Sequence, residues 1–194
     1  MKLDVVLAGV GGQGVVTVAA ILAEAGRRCG LSVKQGEVHG MSQRGGAVTA
    51  NLRMADSPVG SDLISRGGAE MILSLEPVEA LRSLAYLAAD GVLVTSSSPV
   101  RNIPDYPEMD QVLTALAELP RAVVVDADPL ARQAGSGHAN NVVMLGAAAS
   151  LLPIPESVLE ACILDFFAPK GEKIVEVNRQ PFALGKGAAR APAG

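Results

Sequence analysis

Two glycine-rich segments hold the residue types from which a binding site is most readily built. The first, Gly9-Val10-Gly11-Gly12-Gln13-Gly14, ends an apolar run and opens a helical one. Its glycines permit positive φ and close backbone approach, and the free N–H groups at a helix start favour an anion such as a phosphate. Taken alone, the Gly-x-Gly-x-x-Gly spacing fits a dinucleotide site or simply a tight turn. Glu37 stands about where a dinucleotide fold places its ribose acid. The second segment follows at once: Val38-His39-Gly40-Met41-Ser42-Gln43-Arg44-Gly45-Gly46, a polar loop that an ordinary nicotinamide fold does not need. Arg44 can grip a carboxylate or phosphate in bidentate fashion, and His39 and Gln43 can donate hydrogen bonds. The same residues can instead hold two subunits together.

Other candidates weigh less. His138, between Gly137 and Asn140, reads as a solvated or helix-capping residue before it reads as a catalyst. Asp126 and Asp128 are close, but Asp128 has the look of a helix N-cap, so a metal pair is not expected. Lys170, Glu172, Lys173 and Glu176 form a charged segment whose default is a solvated face. The two cysteines, Cys29 and Cys162, make neither a disulfide framework nor a four-thiolate site, and are read as reduced, buried thiols.

Positioning the two loops requires strands that end together. Leu3 to Ala8 predicts a buried strand, and Val15, Val18, Ala19, Leu22 and Ala23 recur at helical spacing after the turn. Leu31–Val38 and Ala47–Met54 predict a second and third strand, and Glu70–Leu75 a fourth. Pro77 opens a helix striped by Leu81, Leu84, Ala85 and Ala88 and ended by Gly91. Val92–Thr95 and Ala122–Asp126 read as buried strands flanking the loop-like stretch Ser96–Tyr106. Asn140–Leu152 reads as a small-residue helix, and Pro155 begins another with Val158, Leu159, Cys162 and Ile163 on one face. Alternating strands and helices imply one three-layer α/β/α domain over residues 1–187. Its sheet is mainly parallel, its first βαβ unit Rossmann-like, and its functional edge lies at the carboxyl ends of the first two strands. Residues 188–194 read as a disordered tail.

Composition removes several function classes. A chain of 194 residues with net charge −4, scattered Lys and Arg and no Trp offers neither a basic stripe nor stacking platforms, so nucleic acid is not expected as a partner. Its longest apolar stretches, Val15–Ala23 and Val142–Leu152, fall short of a bilayer span. The opening Met1-Lys2-Leu3-Asp4 lacks a signal-peptide profile, which implies a cytoplasmic protein with no membrane partner.

The two loops at this separation are far more specific than either alone. Together they make the chain resemble the γ-type domain of 2-oxoacid:ferredoxin oxidoreductases, over most of its length from Met1 to about Gly187. Supporting matches are Leu75-Glu76-Pro77 with Glu79-Ala80, Asn140-Asn141, and Asn178 followed by Phe182-Ala183 and Gly185. The form His39-Gly40-Met41-Ser42-Gln43-Arg44 resembles the indolepyruvate branch, in its small (β) subunit, more than the pyruvate branch.

The resemblance implies a non-autonomous subunit, inactive alone and binding no cofactor by itself. A large (α) partner would carry thiamine diphosphate, magnesium and the iron–sulfur clusters. It would decarboxylate an aryl or branched 2-oxoacid and pass electrons to ferredoxin, with coenzyme A accepting the acyl group. Gly9, Gly11, Gly12, Gln13, Gly14, His39, Ser42, Gln43, Arg44, Gly45, Gly46 and Asn140 would then form the contact with substrate, coenzyme A or partner, and no catalytic residue is assigned to this chain. The competing reading is a stand-alone nucleotide- or dinucleotide-binding protein, with the turn on a pyrophosphate and Glu37 on a ribose.

Overall fold

The computed structural model describes residues 1–39 and 45–189, with the backbone alone for His39. Six strands form one sheet in the order β2-β3-β1-β4-β5-β6. They are β1 (Lys2–Val10), β2 (Ser32–His39), β3 (Ala47–Ala55), β4 (Ala69–Ser74), β5 (Leu87–Ser96) and β6 (Ala122–Val125). The parallel pairs β1/β4, β4/β5 and β5/β6 account for most of the sheet, and β3 alone runs against the rest. The expected β1–α1–β2 crossover is present, with α1 spanning Val15–Arg28. One feature differs from a simple Rossmann unit. β3 lies between β1 and β2, pairing along all nine residues of β1 from Lys2↔Ala55 to Val10↔Ala47. β2 is thereby pushed to the edge, where its side chains are only partly covered.

Each strand sorts its side chains to two faces with period two. Val5 and Leu7 of β1, with Leu52, Met71 and Val94, pack into the larger core under α1, α5 (Asn140–Ala149), α6 (Glu156–Phe167) and α7 (Glu172–Ala188). Val6, Ile72 and Leu93 face the smaller core under α2 (Pro77–Ser83) and α3 (Met109–Ala117). The three layers follow from that division. α4 (Ala127–Gln133) packs on α5.

Several expectations are corrected. The helix opened by Pro77 ends at Ser83, and after a 3-10 turn Leu87–Asp90 joins β5, because Leu87 pairs with Ala69 before the ladder resumes at Met71↔Val92. The Asp residue at the start of α4 is Asp126, while Asp128 lies in the first turn and accepts a bond from Asn140. The segment holding Lys170, Glu172, Lys173 and Glu176 is exposed as expected, but most of it is the start of the 17-residue α7. α7 buries Asn178, Phe182 and Gly185 against α5 and runs to Ala188, one residue into the stretch read as a disordered tail. The two helices approach so closely at Gly146 and Gly185 that a Cβ on either would collide with the opposing backbone at Phe182 or Val143. Cys162 is buried and Cys29 half-buried, both reduced. Among the described residues no helix is long and apolar enough to cross a membrane.

Candidate functional site

The turn between β1 and α1 is built on backbone conformations that only glycine adopts without strain. Gly12 and Gly14 have φ of 104° and 91°. Gly14 is the N-cap of α1 and no side chain caps that end, so the first amides of the helix are left without an acceptor inside it. The first intrahelical bond runs from Val18 N to Gly14 O at 3.0 Å. Those free donors, with the positive end of the helix dipole, make the turn suited to an anion.

The second loop meets the first directly. Gly11 N donates to Gly46 O at 2.8 Å, and Gly45 N to Gly11 O at 3.4 Å, continuing the β1/β3 ladder beyond Val10↔Ala47. The glycine turn and the end of the second loop thus share one rim at the carboxyl ends of β1 and β2. His39 ends β2 at that rim, paired with Val48. Ser42, Gln43 and Arg44 lie outside the described residues.

Two candidates take positions the sequence does not reveal. Gln13 is a staple: its Oε1 accepts from Val10 N at 2.7 Å and its Nε2 donates to Leu75 O at 2.9 Å, so both ends of the amide are taken by backbone. Asn140 turns to α4, donating to Asp128 Oδ1 at 3.1 Å. Its neighbour Asn141 abuts the turn instead, with Nδ2 only 2.5 Å from where a Cβ on Gly14 would stand. The pair was visible in the sequence, but its helical phase was not.

Open space flanks the turn on both sides. A cavity of about 370 Å³ separates it from β2 and is lined by Gly11, Gly12, Val16, Glu37 and Val48. Glu37, exposed, accepts from Gln35 Nε2 at 2.9 Å. A second cavity of about 430 Å³ lies toward α5 and α7, lined by Gly12, Gly14, Thr17, His138, Asn141 and Lys170. His138 is exposed there and caps no helix; the N-cap of α5 is Ala139.

A buried acid completes the rim. Glu76, 1% exposed at the end of β4, caps α2 by accepting from Glu79 N at 2.8 Å. It also accepts from Val100 N at 3.4 Å and from the Tyr106 hydroxyl. Burial, then the hydrogen bond to Glu76, hold the Tyr106 phenol well above its usual range. Burial likewise raises Glu79, against the opposing pull of Arg82. Nothing in the composition marks Glu76 or Tyr106 as part of a site; only the Leu75-Glu76-Pro77 match pointed to the first.

The family model described as pyruvate ferredoxin/flavodoxin oxidoreductase matches residues 4–188. The indolepyruvate oxidoreductase subunit IorB of Archaeoglobus fulgidus is 36% identical over 194 residues, covering 95% of this chain and 94% of that one. The pyruvate/ketoisovalerate oxidoreductases common subunit gamma of Pyrococcus abyssi is 31% identical over 179 residues, covering 90% and 92%. Among solved structures, the 2-oxoglutarate:ferredoxin oxidoreductase of Magnetococcus marinus, determined with 2-oxoglutarate, coenzyme A and succinyl-CoA bound, superposes with a TM-score of 0.78 at 21% identity. That match covers 99% of this chain and spans 32% of the longer one. At that identity the likeness speaks for the fold.

Proposed function

The chain belongs to the pyruvate ferredoxin/flavodoxin oxidoreductase family, and from that premise we infer that it is the small subunit of a 2-oxoacid:ferredoxin oxidoreductase of the indolepyruvate type. The branch rests on the higher identity to the indolepyruvate subunit than to the common gamma subunit, together with the His39–Arg44 form of the second loop. In this reading a large partner subunit holds thiamine diphosphate, magnesium and the iron–sulfur clusters, which supply decarboxylation and electron transfer to ferredoxin. This chain's residues do not fit the clusters, and the described ones offer no site for the metal. Two cysteines cannot ligate a four-thiolate cluster, and among the described residues no three His, Cys, Asp or Glu side chains gather as a metal site.

The task left to this chain is to present a preorganised anion-binding rim to the partner's cleft. The amides at the start of α1 would meet a phosphate of coenzyme A or the carboxylate of the 2-oxoacid, and the loop ending in Gly45-Gly46 would flank it. One observation carries the reading: the bond from Gly11 N to Gly46 O makes a single rim of the two motifs that define the resemblance. Backbone donors fixed before the ligand arrives need no reorganisation when it binds.

The test is reconstitution. The isolated chain should reduce no dye or ferredoxin with indolepyruvate and coenzyme A, and activity should appear on mixing with the large subunit. Catalysis by the isolated chain ends this reading. In the reconstituted complex Arg44→Ala separates chemistry from assembly: a raised KM in an intact complex marks a ligand contact, and a weakened complex with unchanged turnover per assembly marks an interface residue.

A further inference from the structure

The function above leaves Glu76 unused, although it is a carboxylate 1% exposed, beside the rim, with no cation bonded to it among the described residues. Burying an acid away from any cation is costly unless hydrogen bonds offset it, and those bonds tie the acid to its donors. What it holds is the segment from Ser97 to Glu108, which leaves β5 and crosses the carboxyl edge of the sheet before α3 begins. Val100 N and the Tyr106 hydroxyl on this strap both donate to Glu76. Between them Asn102 reaches the other way, its Nδ2 donating to Gly45 O at 2.6 Å.

The contacts close into a circuit around the rim. Gly11 N is bonded to Gly46 O, and the adjoining Gly45 carbonyl to Asn102. The strap carrying Asn102 is bonded to Glu76, and Leu75, the residue before Glu76, accepts from Gln13. Gln13 in turn accepts from Val10. The glycine turn is therefore held on one side by its own staple and on the other through the strap.

We propose that Glu76 is a positioning residue of the anion-binding rim, acting through Tyr106 and Asn102 to fix Gly45-Gly46, and with them Gly11, in the binding geometry. Glu76 itself never touches the ligand. Because an error of about 1 Å in a binding frame is costly to rate and affinity, loosening the circuit degrades ligand use more than it degrades folding. The inference rests on the reading that the glycine turn receives an anionic group of coenzyme A or of the 2-oxoacid.

Glu76 also caps α2, so its removal would confound stability with positioning, and the test is made at its partners. Tyr106→Phe removes one hydroxyl and Asn102→Ala one amide, each from a half-buried side chain. In the complex reconstituted with the large subunit, each should raise KM for coenzyme A or the 2-oxoacid about fivefold, the worth of one hydrogen bond. The melting temperature of the isolated chain should move by less than about 3 °C. Since both break one circuit, the double variant should be little worse than either single one. Unchanged KM values overturn the proposal, as does a lowered melting temperature with additive, purely structural losses. Gly12→Ala in the same assay tests the underlying reading. If it raises KM while the strap variants do not, only the role of Glu76 falls; if all three variants are silent, the glycine-turn reading falls with it.

Discussion

The two ends of the sheet handle charge in opposite ways. At the amino end, buried Asp4 accepts from Arg53 Nε and Nη2 at 2.9 and 3.0 Å and stands 3.0 Å from Lys2 Nζ, which also donates to Glu70 at 2.8 Å. Arg53 spends a further N–H group on the carbonyls of Ser61 and Leu63. Every charge in that group is answered by its opposite. At the carboxyl end, Glu76 is buried more deeply than Asp4 and Glu79 nearly as deeply, but among the described residues Glu76 meets only neutral donors, and the amides at the start of α1 have no partner in the helix. The lesson is about where binding can occur: an edge whose polar groups satisfy one another is inert, whereas an edge with donors left over is completed by a ligand or partner.

Arg53→Ala should break the amino end hardest. It leaves the Asp4 carboxylate, 4% exposed at its side chain, with Lys2 as its remaining cation, and removing one partner of a buried pair costs about 3 kcal/mol. Denaturant unfolding of the isolated chain reads that loss. The intact complex should keep its KM values, because nothing at this end reaches the rim. A raised KM with little loss of stability would erase the distinction between the two ends.

Gly12→Ala should give the opposite signature. A Cβ there meets nothing within 4 Å, so the substitution adds no clash and only the strain of φ at 104°, about 1–2 kcal/mol. If the turn relaxes away from that φ, its amides no longer point together, and KM for the anionic substrate should rise about tenfold. Steady-state kinetics of the reconstituted complex, set beside the unfolding midpoint, separates the two effects. Loss of stability without a change in KM would make the turn a structural element like the amino end.

The same contrast explains what could be read from the sequence. β1, β3 and β4 were legible to within about two residues because buried strands are short apolar runs bounded by turn residues. The glycine turn and its companion loop were legible because only glycine serves a positive φ or a close approach. Pairing was not legible. Nothing local in Ala47–Ala55 shows that it inserts between β1 and β2, and nothing local in Leu87–Asp90 shows that Ala69 recruits it from a helical pattern into β5. α7 was hidden by its charged first turns and Pro181, since its apolar seam has meaning only against α5. At the site, the choice of Asn141 over Asn140 depends on helical phase, and the role of Glu76 depends on a strap arriving from 24 residues away at Val100.

The finest test of the contrast is Glu79→Gln. Burial raises the Glu79 pKa above its ordinary 4.5, while Arg82, bonded to it at 2.8 Å, pulls the other way. A carboxyl whose folded value is raised contributes stability that is fully present below its unfolded value and lost as pH rises through the folded one. The wild-type chain should therefore lose ground to the glutamine variant between pH 4 and pH 7. Their melting temperatures should agree near pH 4, and the variant should lead by about 1–2 °C at pH 7. Arg82 is half exposed, so solvent screens its attraction and burial prevails. At the amino end, where a buried acid meets two cations, the corresponding Asp4→Asn change should destabilise at pH 7. If Glu79→Gln also destabilises there, Arg82 outweighs burial, and the carboxyl end is paired by charge as fully as the amino end.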